Sequence, residues 1–203
     1  MSTTQSPSEI SERLFDILSS SRFLDMEGLG NEVPIFIQPY PVAEEERMET
    51  SIRSLASRLR NSGIEVAEVN LFHLIITELK AEELLEDLIA DERDYDRQDL
   101  LATLKNYSDP RTRIIPRLVE MMSRPEVQLT FVSGSGHVYP FLRTHQLLEE
   151  IQTSMMHHPL VLFFPGHYIQ TKGLGSQLRL FGSLEGSGYY RAFNLDHYRL
   201  HSS

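Results

Sequence analysis

Apolar residues recur along the chain with two periods, one near 3.6 and one near 2, and the switches between them mark the predicted elements. Ser6-Pro7-Ser8-Glu9 opens a helix: Ser6 suits the N-cap, Pro7 the first helical position, and Glu9 the third. Ile10, Leu14, Ile17 and Leu18 then form a helical stripe, and Gly28 and Gly30 mark a connector. Residues 33–38 form a short apolar run, read as a first strand and stopped by Pro39-Tyr40-Pro41. A helix follows over residues 43–60, with Met48, Ile52, Leu55 and Leu59 on one face and Glu44, Glu45 and Glu46 at its positive end. Asn61-Ser62-Gly63 ends it, and residues 64–69 alternate as a second strand. Strand, helix and strand in this order make a βαβ unit and imply parallel pairing.

The middle of the chain is helical in period. Residues 71–93 begin apolar and turn acidic, with Leu84, Leu85, Leu88 and Ile89 as the buried side; shorter helices are predicted around Leu100 to Leu104 and over 114–122. Residues 127–132 read as a third strand and residues 140–155 as the helix after it. Residues 160–164 read as a fourth strand ended by Pro165-Gly166. Two shorter β segments are expected at 178–181 and 189–194. The predicted fold class is α/β: a mostly parallel sheet with flanking helices in a Rossmann-like three-layer arrangement, and a helical segment between the second and third strands. The expected organisation is a single α/β domain over residues 1–203, with residues 71–125 as a helical insertion within it.

Composition narrows the class. Forty per cent of the 203 residues are apolar, enough for a core, and the absence of Cys removes disulfides and thiolate metal sites. The N-terminus is polar, and no apolar run approaches the roughly 20 residues of a membrane helix. The expectation is a cytoplasmic protein with no membrane partner. The net charge of −10 is unevenly spread: residues 1–112 hold 23 acidic against 11 basic side chains, and residues 113–203 hold 6 against 8 with seven of the eight His. The acidic half repels phosphate and the other half has no dense Lys/Arg cluster, so no direct nucleic-acid contact is expected.

Candidate chemistry concentrates in residues 127–146, a strand followed by Ser133-Gly134-Ser135-Gly136-His137. Gly134, Ser135, Gly136, His137, Arg143 and His145 form a candidate partner- or anion-binding loop, because the carboxyl end of a parallel strand is where α/β sheets present ligands. The bland alternative is a tight turn with His137 hydrogen-bonded locally. A phosphate-binding loop would need a Lys after its glycines, where His137 stands, and a dinucleotide fingerprint would need a third Gly where Tyr139 stands. The Ser-Gly-Ser-Gly order does not match a nucleophile elbow through Ser133 or Ser135. His137 and His167 each follow a strand, and a zinc site of these two with a carboxylate is the one metal constellation to weigh. No local His-Glu signature accompanies them, so no metal and no cofactor are expected. Arg143, Arg179, Arg191 and Arg199 are the candidates for a DNA-contacting alternative. The acidic stretch 82–99 is a solvated helical face or a docking face for a basic partner, and the aromatic segment 189–193 an edge strand or a recognition edge.

Four separated segments carry a resemblance when taken together and in order. They are Phe131-Val132-x-Gly134-x-Gly136-His137-Val138-x-Pro140-Phe141-x-Arg143-x-His145; Pro159 through Gly166; Leu180-Phe181-Gly182; and Tyr189-Tyr190-Arg191-Ala192-Phe193. This set, over residues 131–193, resembles the BrxB family of bacterial BREX phage-exclusion systems, and Phe36-Ile37-x-Pro39-Tyr40 fits it more loosely. The resemblance implies a non-catalytic component of an anti-phage complex that acts by protein–protein interaction with a PglZ-like partner and other BREX components. A degenerate nucleotide- or metal-binding enzyme of the same system is the alternative. No catalytic residue is carried over.

Overall fold

Residues 5–27, 33–91, 93, 96–152, 157–171, 175–186 and 191–199 are described in the computed structural model. Strands β1 (Ile35–Tyr40), β2 (Val66–Asn70), β3 (Leu129–Ser133), β4 (Leu160–Thr171) and β7 (Phe193–Asn194) lie in the order β2-β3-β4-β1-β7, every neighbouring pair parallel. Both faces are covered, and the strand sequences show why. Ile35, Ile37, Val132, Leu160, Leu162 and Phe164 point to one face, while Phe36, Phe131, Val161 and Phe163 point to the other. Period-2 alternation with apolar residues on both sides is the signature of a sheet buried between two helical layers.

The first layer is α1 (Pro7–Leu18) with α3 (Glu45–Asn61). The Ser6 hydroxyl accepts from the Glu9 N–H and the Glu9 carboxylate accepts from the Ser6 N–H, forming the expected capping box. Ile10, Leu14, Ile17 and Leu18 of α1, and Met48, Ile52, Leu55 and Leu59 of α3, are buried together against the sheet. The second layer is α4 (Leu71–Ala81), α5 (Leu85–Ala90), α6 (Arg97–Tyr107), a π-helical turn (Pro110–Ile114), α7 (Ile115–Met122) and α8 (Thr144–Ile151). Ile89, predicted on the buried side, is 65% exposed; Leu88 anchors that short helix in the core, with Leu84 and Leu85 partly buried against it. A four-residue helix, α2 (Ser21–Leu24), plugs Phe23 against Phe36. Among the described residues, no helix is long and apolar enough to cross a membrane.

The connection from β1 to β2 runs through α3 on one face, and those from β2 to β3 and β3 to β4 run back through the other face. Opposite directions on opposite faces are what one common crossover handedness requires. At their carboxyl ends, β1 therefore turns toward α3 and β3 toward α8, with the end of the parallel part of β4 between them.

Besides β1, which runs on through Pro39 and Tyr40 where a stop was expected, two elements differ from expectation. The helix predicted over 140–155 is replaced at its start by a turn region through Leu142, which includes a cis Tyr139–Pro140 bond; α8 begins only at Thr144, and residues 153–156 lie outside the described residues. Val138 and Leu142 are each buried in the core, and Phe141 O accepts from the Ser108 hydroxyl, so the apolar residues there anchor a loop and not a helical stripe. The second difference is that β4 does not stop at Pro165-Gly166. It changes partner there, pairing with β1 and β3 first and then antiparallel with β5 (Gly175–Leu180), which pairs with β6 (Leu184–Gly186). Gly166 makes this possible: a Cβ at that position would lie 2.1 Å from the Arg179 carbonyl oxygen. Of the β segment expected at 189–194, Phe193 and Asn194 pair with β1, and residues 187–190 lie outside the described residues.

Candidate functional site

The carboxyl ends of β1 and β3 bring together residues from distant parts of the sequence. Tyr40 closes β1, Pro41 turns the chain, and α3 begins at Glu45, so Glu45 and Glu49 stand one helical turn apart on one face. Across from them, the loop after β3 presents His137. Its Nε2 lies 3.9 Å from Glu45 Oε1 and its Nδ1 lies 3.7 Å from Glu49 Oε1. The buried Tyr40 hydroxyl donates to Glu45 Oε2 at 3.0 Å, while Glu45 Oε1 is buried with no hydrogen-bond partner among the described residues. Burial holds the Glu45 carboxyl above the ordinary carboxylate range; the Tyr40 hydrogen bond and His137 oppose this, and Glu49 adds to it. Burial first, and Glu45 second, push the Tyr40 phenol upward. Phe72 meets the His137 ring edge-on at 6.1 Å.

The loop backbone follows from its glycines. Gly134 has φ +76°, and a Cβ there would lie 2.7 Å from the Asn70 Oδ1 that caps the first turn of α4. A Cβ at Gly136 would lie 2.9 Å from the Pro165 ring and 3.2 Å from the Phe181 ring. Between them, Ser135 is 1% exposed and its hydroxyl donates to Phe163 O at 3.4 Å, so it faces the sheet and not solvent. His137 is thus held out by a turn packed close on both sides.

The remaining candidates separate. Arg143 precedes α8 and lines a different concavity, of about 650 Å³, with Lys105, Arg111 and Glu149. His145 is half-buried on α8; burial lowers its pKa, Glu149 opposes and Arg143 adds. His167 sits in the β4–β5 hairpin opposite Arg179, and it is the two carboxylates of α3 that the structure brings to His137. His158 is buried against the Thr130 hydroxyl at 2.8 Å. The arginines weighed for DNA fall on different elements: Arg199 bonds the Asp196 and Tyr198 carbonyls, and the Arg191 N–H donates to Gln152. Glu82 of the acidic stretch pairs with Arg113.

A second cavity, of about 560 Å³, opens beside the first cluster and shares Glu49 with it. It runs between α3 and α4 along β2, the edge strand, and Arg53, Glu68, His73, Leu74 and Thr77 line it. Sequence pattern alone does not pair Glu45 and Glu49 with a histidine. The available signal was a pair of Glu at i and i+4 opening the helix after a parallel strand.

The family profile described as BREX protein BrxB matches residues 67–195. The chain belongs to the BrxB family. A BREX protein BrxB of Bacillus cereus (strain H3081.97) is 30% identical over 193 residues, covering 92% of this chain and 97% of the relative. Another BrxB, of Escherichia coli O9:H4 (strain HS), is 28% identical over 180 residues, 88% of this chain and 86% of the relative. No solved structure matches significantly. The profile begins after Tyr40, Glu45 and Glu49, but the Bacillus relative extends over nearly the whole chain.

Proposed function

We propose that this chain is a non-catalytic component of a BREX phage-exclusion system in the cytoplasm, docking to a PglZ-like protein and through it to other BREX components, without direct contact to nucleic acid. Membership of the BrxB family carries this proposal, since both relatives are BREX proteins by name. The glycine loop supports a binding role over a catalytic one. Ser135 is turned into the sheet, and Gly134 and Gly136 are committed to close packing, which leaves His137 and Arg143 as its exposed polar side chains. Phe181, 39% exposed and packed on Tyr139 beside Gly136, gives the same surface an apolar anchor. The docking residues in this proposal are His137, Arg143 and His145, positioned by Gly134, Ser135 and Gly136.

The tagged chain, expressed in its native host, is expected to recover the PglZ-like protein of the same system. Phe181→Asp combined with Arg143→Glu should abolish recovery without altering the far-ultraviolet circular dichroism. Recovery of no PglZ-like protein by the unaltered chain would reject the proposal. Loss of phage restriction on deleting the gene places the chain in the pathway, and retained restriction removes it.

A further inference from the structure

We propose that Glu45, Glu49 and His137 bind one divalent transition-metal ion at the carboxyl end of the sheet. Three observations converge on it. First, one donor atom from each of the three residues lies within 4.8 Å of the others, and the donors are of mixed type, two carboxylates and an imidazole. That set suits zinc, manganese or iron better than magnesium or calcium, which favour oxygen alone. Second, the two oxygens of Glu45 are treated differently. The Tyr40 hydroxyl fixes Oε2 at 3.0 Å, leaving Oε1 buried, without a hydrogen-bond partner among the described residues and 3.9 Å from His137. A buried oxygen in that state lacks compensation for its lost water, and a cation supplies it. The Tyr40 contact is also the kind of outer partner that orients a ligating carboxylate. Third, α3 places two like charges on adjacent turns, which repel unless a counter-charge lies between them.

Metal bonds of about 2.1 Å hold ligand atoms roughly 3–4 Å apart, so the cluster needs to close by roughly 1 Å on loading. The side chains permit this. His137 is 45% exposed on a loop and Glu49 is 31% exposed, so both can turn, while Tyr40 holds Glu45 in place. The three protein ligands leave further coordination positions open. Glu49 also lines the 560 Å³ cavity between α3 and α4, so a ligand bound there would lie beside the ion. The site shares His137 with the proposed docking surface, whereas its ligands Glu45 and Glu49 belong to α3 and not to that surface.

The test uses the intact chain, stripped with chelator and titrated calorimetrically with zinc and with manganese. One ion per chain is expected. Glu49→Gln and His137→Gln should each weaken binding at least about tenfold, and Tyr40→Phe by about 10- to 100-fold through the freed Glu45 carboxylate. His157→Ala, at an exposed histidine outside the cluster, should bind as the unaltered chain does. Cobalt substitution provides a second measurement: absorption bands of coordinated cobalt should appear in the unaltered chain and vanish in His137→Gln. No uptake of either ion would overturn the proposal, identifying the cluster as a histidine paired with two carboxylates. Binding that survives in Glu49→Gln and His137→Gln would overturn it equally. Partner recovery measured with and without chelator separates this result from the docking test.

Discussion

At the scale of single residues, the buried polar groups decide how the chain responds to its surroundings. His158 sits under the sheet against Thr130, 6% exposed, and burial, helped by neighbouring His157, pulls its pKa below the ordinary 6.5. The sign follows from linkage. Above pH 6.5 the ring is neutral in both folded and unfolded chains and contributes no pH dependence. As pH falls below that value, the unfolded chain takes up the proton first and stability drops, until the folded ring titrates as well. One such group changes stability by at most about 1.4 kcal/mol per pH unit. Urea denaturation at pH 7.5, 6.5 and 5.5 is expected to show a fall that is shallower in His158→Gln; equal slopes would mean that His158 does not carry it. The apolar stripes of α1 and α3 were legible residue by residue, because period alone reports burial. The meeting of His137 with Glu45 and Glu49 was not, since a loop after β3 and a helix after β1 are adjacent only once strand order is known.

At the scale of elements, the longer helices and strands were legible; the short α2 and β6 were not, and neither were the junctions. Hydropathy marks Pro165-Gly166 as a stop, but the strand continues because Gly166 lets it pass the Arg179 carbonyl, an approach that no periodicity records. A junction of another kind ties the first helix to the end of the chain. Arg13 of α1 donates to Gln38 Oε1 at 2.9 Å, to Asp196 Oδ1 at 2.8 Å and to the Leu195 carbonyl at 2.8 Å, while Gln38 Nε2 donates to Asp196 Oδ1 at 2.9 Å. Gln38 is fully buried in β1, so among the described residues its oxygen has Arg13 alone to replace lost water. Replacing Arg13 by Met keeps the aliphatic stem and removes all three bonds. The expected loss is about 1–3 kcal/mol, the cost of leaving a buried acceptor unsatisfied. Chemical denaturation reads it directly, and a midpoint unchanged from the unaltered chain would show that the network contributes nothing net.

At the scale of the molecule, the three-layer arrangement followed from the order of predicted elements, whereas strand order did not: the third strand adds beside the second, yet the first lies on the far side of the fourth. This order bears on how much of the chain is needed to fold. The family profile covers residues 67–195, but β1, which precedes it, pairs with β4 through six residues and with β7 through two. Removing residues 1–66 strips one flank of β4 and takes with it α1, α3 and the aromatic contact of Phe36 with Phe193. The face formed by Phe131, Val161 and Phe163 is then bare, and a sheet of this kind is stable only with both faces covered. We infer that the chain folds as one unit, with the helices between β2 and β3 serving as its second layer. A fragment of residues 67–195 should therefore show no cooperative urea transition, where the whole chain shows one. A sharp transition with native-like helical signal in the fragment would reject this. The same fragment lacks Tyr40, Glu45 and Glu49, so a folded fragment would still be expected to take up no metal at the His137 loop.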